Sequence, residues 1–228
     1  MKLFTVGPTQ MRKEIMEVGG QLVPYFRTKE FSDVMLDSDR LLRKFMHAPE
    51  DAKSIYLTAS GTAAMEAVIM NCFTSHDKVL VIDGGTFGHR FAQICDIHEI
   101  PYERVTLKDD EKLSADHLKP FDHIGITALM VNIDETSTGQ LYDVQLLSEF
   151  CKKNSAYLIV DAISSYLIDP YNMGKYGIDA TIISSQKGLC IAPGLSVVVL
   201  SKKLIKDRVE NNQTVSYTHL TLPTNSLV

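Results

Sequence analysis

The stretch SIYLTASGTAAMEAVIMNCFTSHDKVLVID, residues 54–83, decides the fold. It opens with the short β-branched run SIYLT, continues with the amphipathic segment Thr62–Phe73, and ends with a second apolar run, KVLVID. Short apolar runs are typical of buried strands, and a longer amphipathic segment is typical of a helix. The stretch therefore predicts the order strand, helix, strand.

The same rhythm continues toward the end of the chain. A second helix is predicted at Phe87–His98 and a third at Val144–Asn154. The remaining predicted strands are YERVTL (102–107), IGITALMV (124–131), AYLIVD (156–161), ATIISS (180–185) and LSVVVL (195–200). Uninterrupted apolar strands separated by helices are typical of a parallel sheet covered on both faces. We therefore predict an α/β fold with a mostly parallel sheet sandwiched by helices.

The first fifty residues have a different pattern. A loop-like Gly-Pro-Thr-Gln is followed by predicted helices at Arg12–Val18 and from Phe31 to about His47. We interpret residues 1–50 as an N-terminal arm and residues 51–213 as one large domain.

The composition limits the class of function. The chain has 228 residues, 45% hydrophobic and 22% charged, with a formal net charge of -5. It lacks the Lys/Arg cluster that nucleic-acid binding would need, and no window approaches the roughly 18 apolar residues of a membrane helix. Its four cysteines stand singly, without the spacing of a disulfide scaffold or a zinc site. We expect a cytoplasmic protein that acts on small molecules, without a metal.

The C-terminal end has neither helical nor strand periodicity. Residues 215–224, VSYTHLTLPT, resemble the translation of a sequencing-library adapter. A genuine disordered terminus is the alternative. We expect residues 214–228 to be non-native or disordered, and the natural protein to continue beyond Gln213.

Three short motifs follow predicted strands, where ligands bind in parallel sheets. Ser60-Gly61-Thr62 lies between a strand and a helix, so it could hold a phosphate with backbone N–H groups or act as an ordinary helix cap. Asp161 ends a strand and could pair with a protonated ring nitrogen or serve as a turn residue. Lys187, in Ser-Ser-Gln-Lys-Gly, could be a nucleophilic amine if it is partly withdrawn from water.

Two further segments lie at strand ends. The loop Asp134–Gly139 carries closely spaced hydroxyls that could donate to a ligand oxygen, although turn chemistry explains the same residues. Phe87 opens a predicted helix, and its ring could stack on a planar cofactor or pack in the core. The order of these five features along the chain is stronger evidence for one protein family than any single feature is.

In this order the motifs resemble the class V aminotransferases, pyridoxal-phosphate enzymes of fold type I that include alanine–glyoxylate and 2-aminoethylphosphonate–pyruvate aminotransferases. The resemblance spans roughly residues 7–200, and its most specific parts are Val-Asp-Ala-Ile-Ser-Ser at 160–165 and Ser-Ser-Gln-Lys-Gly at 184–188. Gly7-Pro8-Thr9 and the stretch Arg27–Phe31 also resemble the N-terminal arm of that family. The resemblance implies that the chain is most of the large, cofactor-binding domain, with the small domain largely missing.

The resemblance also implies a role for each motif residue. Lys187 would be the Schiff-base lysine of pyridoxal 5'-phosphate, and Asp161 would bond the pyridinium nitrogen. The cofactor phosphate would be bound by Ser60, Gly61, Thr62 and Gln186. Phe87 and Ile163 would cover the two faces of the ring, and Thr136 would bond the phenolic oxygen.

The activity implied is transamination between an amino acid and a small 2-oxo acid such as pyruvate or glyoxylate. Lys187 would move the proton, and Asp161 would keep the ring nitrogen charged. The family's substrate-binding arginine and the phosphate ligands from a dimer partner would lie beyond Gln213. We expect the full-length protein to be a homodimer, in which the apolar arm residues Phe26, Phe31, Met35, Phe45 and Met46 lie across the partner.

Other functions remain open at this point. A lyase of the same fold, such as a cysteine desulfurase, would share the lysine and the aspartate, but desulfurases typically carry histidines where Phe87 and Gln186 stand. A nucleotide-binding module without catalysis would need a GxGxxG or GxxxxGK motif after the first strand, and neither is present. A third alternative is that the chain is a truncated, inactive fragment.

Overall fold

The computed structural model describes residues 4–210 of the chain. The predicted tail, residues 214–228, lies outside the described residues, as does the end of the predicted large domain. Within residues 4–210, a seven-stranded sheet has the order β1-β9-β8-β7-β4-β2-β3. Its strands are β1 (Lys53–Leu57), β2 (Val79–Asp83), β3 (Tyr102–Thr106), β4 (Ala128–Asn132), β7 (Tyr157–Asp161), β8 (Ala180–Ser184) and β9 (Ser196–Leu200).

The sheet is parallel through its larger part. Strands β3, β2, β4, β7 and β8 pair in parallel, whereas β9 is antiparallel to both β8 and β1. The predicted mostly parallel sheet is thus confirmed. A small hairpin of β5 (Asp134–Glu135) and β6 (Gln140–Leu141) follows β4, where the sequence predicted a loop.

The part of the chain that the structure describes has eight α-helices, and those that pack on the sheet cover both of its faces. They are α1 (Lys13–Gly19), α2 (Lys29–Met46), α3 (Gly61–Cys72), α4 (Thr86–Ile97), α5 (Ala115–Leu118), α6 (Val144–Asn154), α7 (Met173–Tyr176) and α8 (Lys202–Leu204). A 3₁₀ turn at Lys119–Phe121 follows α5, and a π-helical turn at Ile205–Val209 follows α8. None of the helices described is long and apolar enough to cross a membrane.

Two apolar cores result from the alternation of side chains along each strand. On one face, Leu129, Val131 and Leu158 pack with residues of α2 and α6. On the other face, Met130 and Ile159 pack with residues of α3 and α4. Because each central strand is buried on both faces, the strands are uninterrupted apolar runs in the sequence.

The N-terminal arm differs from this core. Phe26 and Phe45 are more than half exposed, whereas Phe31 and Met35 are partly buried. Met46 is fully buried and packs in the core of its own chain. The expectation that Met46 lies across a partner is therefore wrong, because the last turn of α2 turns this side chain toward the sheet.

Candidate active site

The first predicted site motif begins helix α3. Ser60 is its N-cap, and the Ser60 hydroxyl accepts a hydrogen bond from Ala63 N at 3.2 Å. Gly61 and Thr62 precede that residue, and their N–H groups have no acceptor within the helix. A Cβ at Gly61 would lie 2.3 Å from Ile163 Cδ1, so a larger residue there would require the Ile163 side chain to shift. Ser60 can therefore cap the helix while the N–H groups of Gly61 and Thr62 bind a phosphate.

Asp161 is the last residue of β7 and is only 1% exposed. Its Oδ1 accepts from Ile163 N and its Oδ2 from Asn132 Nδ2, both at 2.9 Å. Burial raises the pKa of the Asp161 carboxyl to about 6, while these two hydrogen bonds act in the opposite direction. A cationic partner would favour the ionised form of this carboxylate.

Lys187 follows β8, and its pKa is shifted in the direction opposite to that of Asp161. Burial lowers the pKa of the Lys187 amine, and the negative charges of Asp134 and Asp161 partly oppose that shift. Lys187 Nζ donates to the carbonyl of Val6 at 2.8 Å. The N-terminal segment is held there by Thr9 N, which donates to Gln186 O at 2.9 Å.

Gln186 is oriented by the end of its own strand. The Ser184 hydroxyl donates to Gln186 Oε1 at 2.6 Å, which leaves Gln186 Nε2 to donate elsewhere. A Cβ at Gly61 would also lie 3.5 Å from Ser184 Cβ. The start of α3, the end of β8 and Ile163 therefore meet at one point.

The hairpin after β4 reaches the same place. Thr136 Oγ1 and Ser164 Oγ are 2.7 Å apart and share a hydrogen bond. Phe87, 37% exposed, lies in the first turn of α4, and its backbone N–H donates to the Glu135 carboxylate at 3.3 Å. The structure thus connects the loops that follow β1, β2, β4, β7 and β8.

All the predicted site residues lie at the carboxyl ends of these strands or in the segments that directly follow them. They are Ser60, Gly61, Thr62, Phe87, Thr136, Asp161, Ile163, Gln186 and Lys187. We call this set, with the residues that contact it, the carboxyl-end site, because it lies beyond the carboxyl ends of the parallel strands.

The sequence interpretation missed three contributors. Asn132 is buried at the end of β4, directly beside Asp161 in the parallel register. Ser164 bonds Thr136, and Glu135 contacts the start of α4. A signal for Asn132 was present, because a polar residue that ends an apolar strand at this edge of the sheet points to the same region as Asp161.

The donor set of the site suits pyridoxal phosphate. The N–H groups that begin the 12-residue helix α3 suit a phosphate dianion, and the buried Asp161 suits a protonated pyridine nitrogen. Asn132 Oδ1 is also buried, without a hydrogen-bond partner among the described residues. A lysine with a lowered pKa suits attack on an aldehyde carbon. The residues present therefore fit this cofactor.

A family model described as "Aminotransferase class-V" matches residues 19–217. Among curated relatives, an uncharacterized aminotransferase of Methanocaldococcus jannaschii is 32% identical over 217 residues, which is 94% of this chain and 56% of that protein. A 2-aminoethylphosphonate–pyruvate transaminase of Bacteroides fragilis is 31% identical over 152 residues, covering 66% of this chain and 42% of that protein. The chain thus spans about half the length of the curated relatives it matches.

Solved structures show the same architecture. An aspartate aminotransferase of subgroup IV from Thermus thermophilus matches with a TM-score of 0.83 at 30% identity, over 90% of this chain and 58% of that chain. An alanine–glyoxylate aminotransferase from Nostoc matches with a TM-score of 0.87 at 26% identity, over 94% of this chain and 57% of that chain.

Proposed function

The chain belongs to the class V aminotransferase family, and from that premise we propose that it carries the cofactor-binding half of an enzyme that moves an amino group from an amino acid to a small 2-oxo acid. The observation that carries the proposal is that two residues of the carboxyl-end site have pKa values shifted in opposite directions. The pKa of Asp161 is raised and the pKa of Lys187 is lowered, both because of burial. Such pairs are typical of sites where proton transfer occurs.

We propose that nine residues hold pyridoxal phosphate. Asp161 would bond the ring nitrogen, and Lys187 Nζ would be the point of covalent attachment. The phosphate would be held by Ser60, Gly61, Thr62 and Gln186 Nε2. Phe87 and Ile163 would cover the two faces of the ring. Thr136 would donate to the phenolic oxygen while it accepts from Ser164, which the 2.7 Å contact between their hydroxyls permits.

Pyridoxal phosphate supplies an electrophilic carbon and an electron-accepting ring when it is bound. The chain's own residues supply orientation and proton transfer. Because its pKa is lowered, Lys187 Nζ would lose its proton more readily than an ordinary lysine, and it would then carry a proton from the α-carbon of the amino acid. Asp161 would keep a bound ring nitrogen protonated, because a buried carboxylate beside it would stabilise the positive charge.

Asn132 supports Asp161 in this role. Its amide donates to Asp161 Oδ2 at 2.9 Å, which fixes the plane of the carboxylate and favours its ionised form. The first keto acid would leave before the second enters the same site, so we expect ping-pong kinetics.

We propose pyruvate or glyoxylate as the acceptor, because these are the acceptors named for the Bacteroides fragilis and Nostoc relatives. The test uses a protein of the length of the relatives, of which this chain spans about half. Mixing the pyridoxal-phosphate form with alanine in a single turnover should release pyruvate in an amount equal to the bound cofactor. Adding glyoxylate should then restore the starting absorption spectrum. Release of sulfur from cysteine, with no keto acid formed from alanine, would favour a lyase of the same fold.

We also propose that the full-length protein is a homodimer. The supporting observation is the apolar arm, in which Phe4 and Leu22 are almost fully exposed and Phe26 and Phe45 more than half exposed. Burial of such side chains against a partner would be favourable, at about 25 cal/mol per Å². Light scattering should give a dimer for the wild-type protein and a larger monomer fraction for Phe45→Glu. Ile97→Glu, which changes an exposed apolar residue of α4, is the control and should remain dimeric.

A further inference from the structure

Glu135 is a fully buried carboxylate that lies outside the set of predicted site residues. It is the second residue of β5, with 0% of its surface exposed. Its Oε2 accepts from Gly88 N at 2.9 Å and its Oε1 from Phe87 N at 3.3 Å. The carboxylate thus bonds two backbone N–H groups of the first turn of α4, 47 and 48 residues away in the chain.

Helix α4 has no side-chain cap of its own. Its N-cap is Gly85, which makes no side-chain hydrogen bond. The remaining N–H of the first turn, that of Thr86, donates to Ser137 Oγ at 2.9 Å. The hairpin therefore supplies every side-chain acceptor that the first turn of α4 uses in the described structure. A negative charge at this end of a helix is also favourable toward the helix dipole.

Close packing makes this contact possible. A Cβ at Gly85 would lie 2.4 Å from Ser137 Oγ and 2.5 Å from Glu135 Cδ. A Cβ at Gly88 would lie 2.4 Å from the carbonyl oxygen of Ile82. Glycine at both positions lets the helix start sit against the hairpin and against the end of β2, so a small shift of Glu135 would move Phe87.

The same carboxylate also shapes its own hairpin. Glu135 Oε1 accepts from Ser137 Oγ at 2.6 Å and from Ser137 N at 3.2 Å. Thr136, which lies between these two residues, bonds Ser164 in the loop after β7. Glu135 is thus the point where the segment that carries Phe87 meets the segment that carries Thr136.

We propose that Glu135 is a positioning residue that fixes the ring of Phe87 relative to the hydroxyl of Thr136, and so sets the geometry of the slot that takes the pyridine ring. This inference rests on the proposed function, because Phe87 and Thr136 are the residues assigned there to one face and one edge of the cofactor. Glu135 itself would touch neither cofactor nor substrate. Its effect is transmitted through the backbone N–H groups of Phe87 and Gly88.

The test compares Glu135→Gln with Asp179→Asn in the full-length protein. Asp179 is a matched control, because it is a buried carboxylate that also accepts from a backbone N–H, that of Leu158 at 3.1 Å, but at the opposite end of the sheet. In Glu135→Gln, the new amide N–H₂ faces N–H groups that need an acceptor, while the shape of the side chain is kept. Glu135→Gln should lower the melting temperature, because the backbone N–H groups of α4 lose a charged acceptor.

Two measurements on the cofactor separate positioning from mere stability. We expect Glu135→Gln to weaken pyridoxal phosphate binding on the order of tenfold, the size of one lost helix cap. The visible circular dichroism of the bound cofactor should also change, because it reports the tilt of the ring in its slot. Asp179→Asn should leave both unchanged. Equal affinity and an unchanged dichroism band in Glu135→Gln would overturn the proposal.

Hydrogen exchange on the cofactor-free protein makes the outcome independent of the proposed function. Residues 84–91 and 133–141 should both exchange faster in Glu135→Gln than in the wild type, and neither should do so in Asp179→Asn. If the wild type takes up no pyridoxal phosphate, the proposed function fails, and unchanged exchange in 84–91 overturns the role of Glu135 separately. Should Glu135→Gln not fold, Ser137→Ala removes the acceptor of Thr86 N and should change the same readouts in the same direction, by less.

Discussion

The two ends of the sheet each hold a buried aspartate. Asp161 ends β7 at the carboxyl end and is 1% exposed, while Asp179 lies directly before β8 at the amino end and is 6% exposed. Each accepts one backbone and one side-chain hydrogen bond. Burial raises the pKa of both carboxyl groups.

The surroundings of the two aspartates differ. Ser201 donates to Asp179 Oδ1 through its hydroxyl and to Asp179 O through its N–H, so Asp179 ties the start of α8 to the sheet. At the carboxyl end, Asn132 and Ser165 each leave a buried polar atom without a partner among the described residues, and Lys187 has a lowered pKa. A buried carboxylate alone therefore does not mark a site. Buried polar atoms beside it that lack a partner among the described residues are a better mark of a site.

The largest expected effect is on the reaction rate, which should depend on Asp161 and not on Asp179. Asp161→Asn should slow the single-turnover reaction with alanine about a hundredfold or more, since an amide cannot stabilise the charge on the ring nitrogen. Asp179→Asn should leave that rate within about twofold, because its role is structural. Stopped-flow spectroscopy on both variants checks this. Near-normal rates in Asp161→Asn would show that Asp161 is only a strand-end cap.

A second effect concerns stability against pH in the cofactor-free protein. Because the pKa of Asp161 is raised to about 6 by folding, the carboxyl contributes stability below its ordinary pKa near 4 and loses it as the pH rises through about 6. Asp161→Asn should remove this loss, and the flipped amide of Asn132 can accept from the new side chain. The variant should therefore be more stable than the wild type at pH 8, on the order of 1–3 kcal/mol.

Urea unfolding at pH 4 and pH 8 measures that difference. The advantage of Asp161→Asn should shrink at pH 4, where the wild-type carboxyl is protonated more fully. Saturation with pyridoxal phosphate should also shrink it at pH 8, because the ionised carboxylate then has a cationic partner. If Asp161→Asn were more stable than the wild type by the same amount at both pH values, the raised pKa of Asp161 would be contradicted.

A smaller effect is expected from the partner of Asp161. Asn132→Leu removes the donor to Asp161 Oδ2, which should raise the pKa of Asp161 further and move the acid limb of the pH–rate profile to higher pH. We expect the rate at pH 7 to fall about tenfold, the equivalent of one hydrogen bond to a charged group. Asn71→Leu changes a buried amide of α3 that donates to Ala67 O and should leave the acid limb in place.

The smallest effect lies at the amino end. Ser201→Ala removes the hydroxyl that donates to Asp179 Oδ1 at 3.0 Å, and should lower the free energy of unfolding by about 1 kcal/mol. The affinity for pyridoxal phosphate should not change. A weakened affinity in this variant would mean that the two ends of the sheet are coupled, and would remove the basis of the comparison.

Most of the fold was predicted from the sequence, because buried strands and amphipathic helices leave a local signal. The predicted helix Val144–Asn154 is confirmed without change, and α3 and α4 each begin one residue earlier than predicted. The predicted strand IGITALMV is shorter in the structure, since Gly125 adopts a positive φ of 84° and β4 begins only at Ala128. The antiparallel pairing of β9 was not predicted, because strand pairing depends on contacts that are distant in the chain.

Site residues could be predicted from the sequence only where they lie at or just after the end of an apolar strand. Asp161 carried a signal because it comes directly after an apolar run, and Lys187 because it follows one after three polar residues. Glu135 did not, since its partners in α4 are 47 and 48 residues away and belong to another element. Contacts between loops of this kind depend on the assembled sheet, so the sequence alone gives their residues no role.

The most direct test of the account is the identity of the lysine that binds the cofactor. The full-length protein is incubated with pyridoxal phosphate, reduced with borohydride, digested, and mapped by mass spectrometry. We expect one modified peptide, with the pyridoxyl phosphate group on Lys187, and its loss in Lys187→Ala. An adduct on another lysine, or none at all, would show that Lys187 is not the lysine that binds the cofactor.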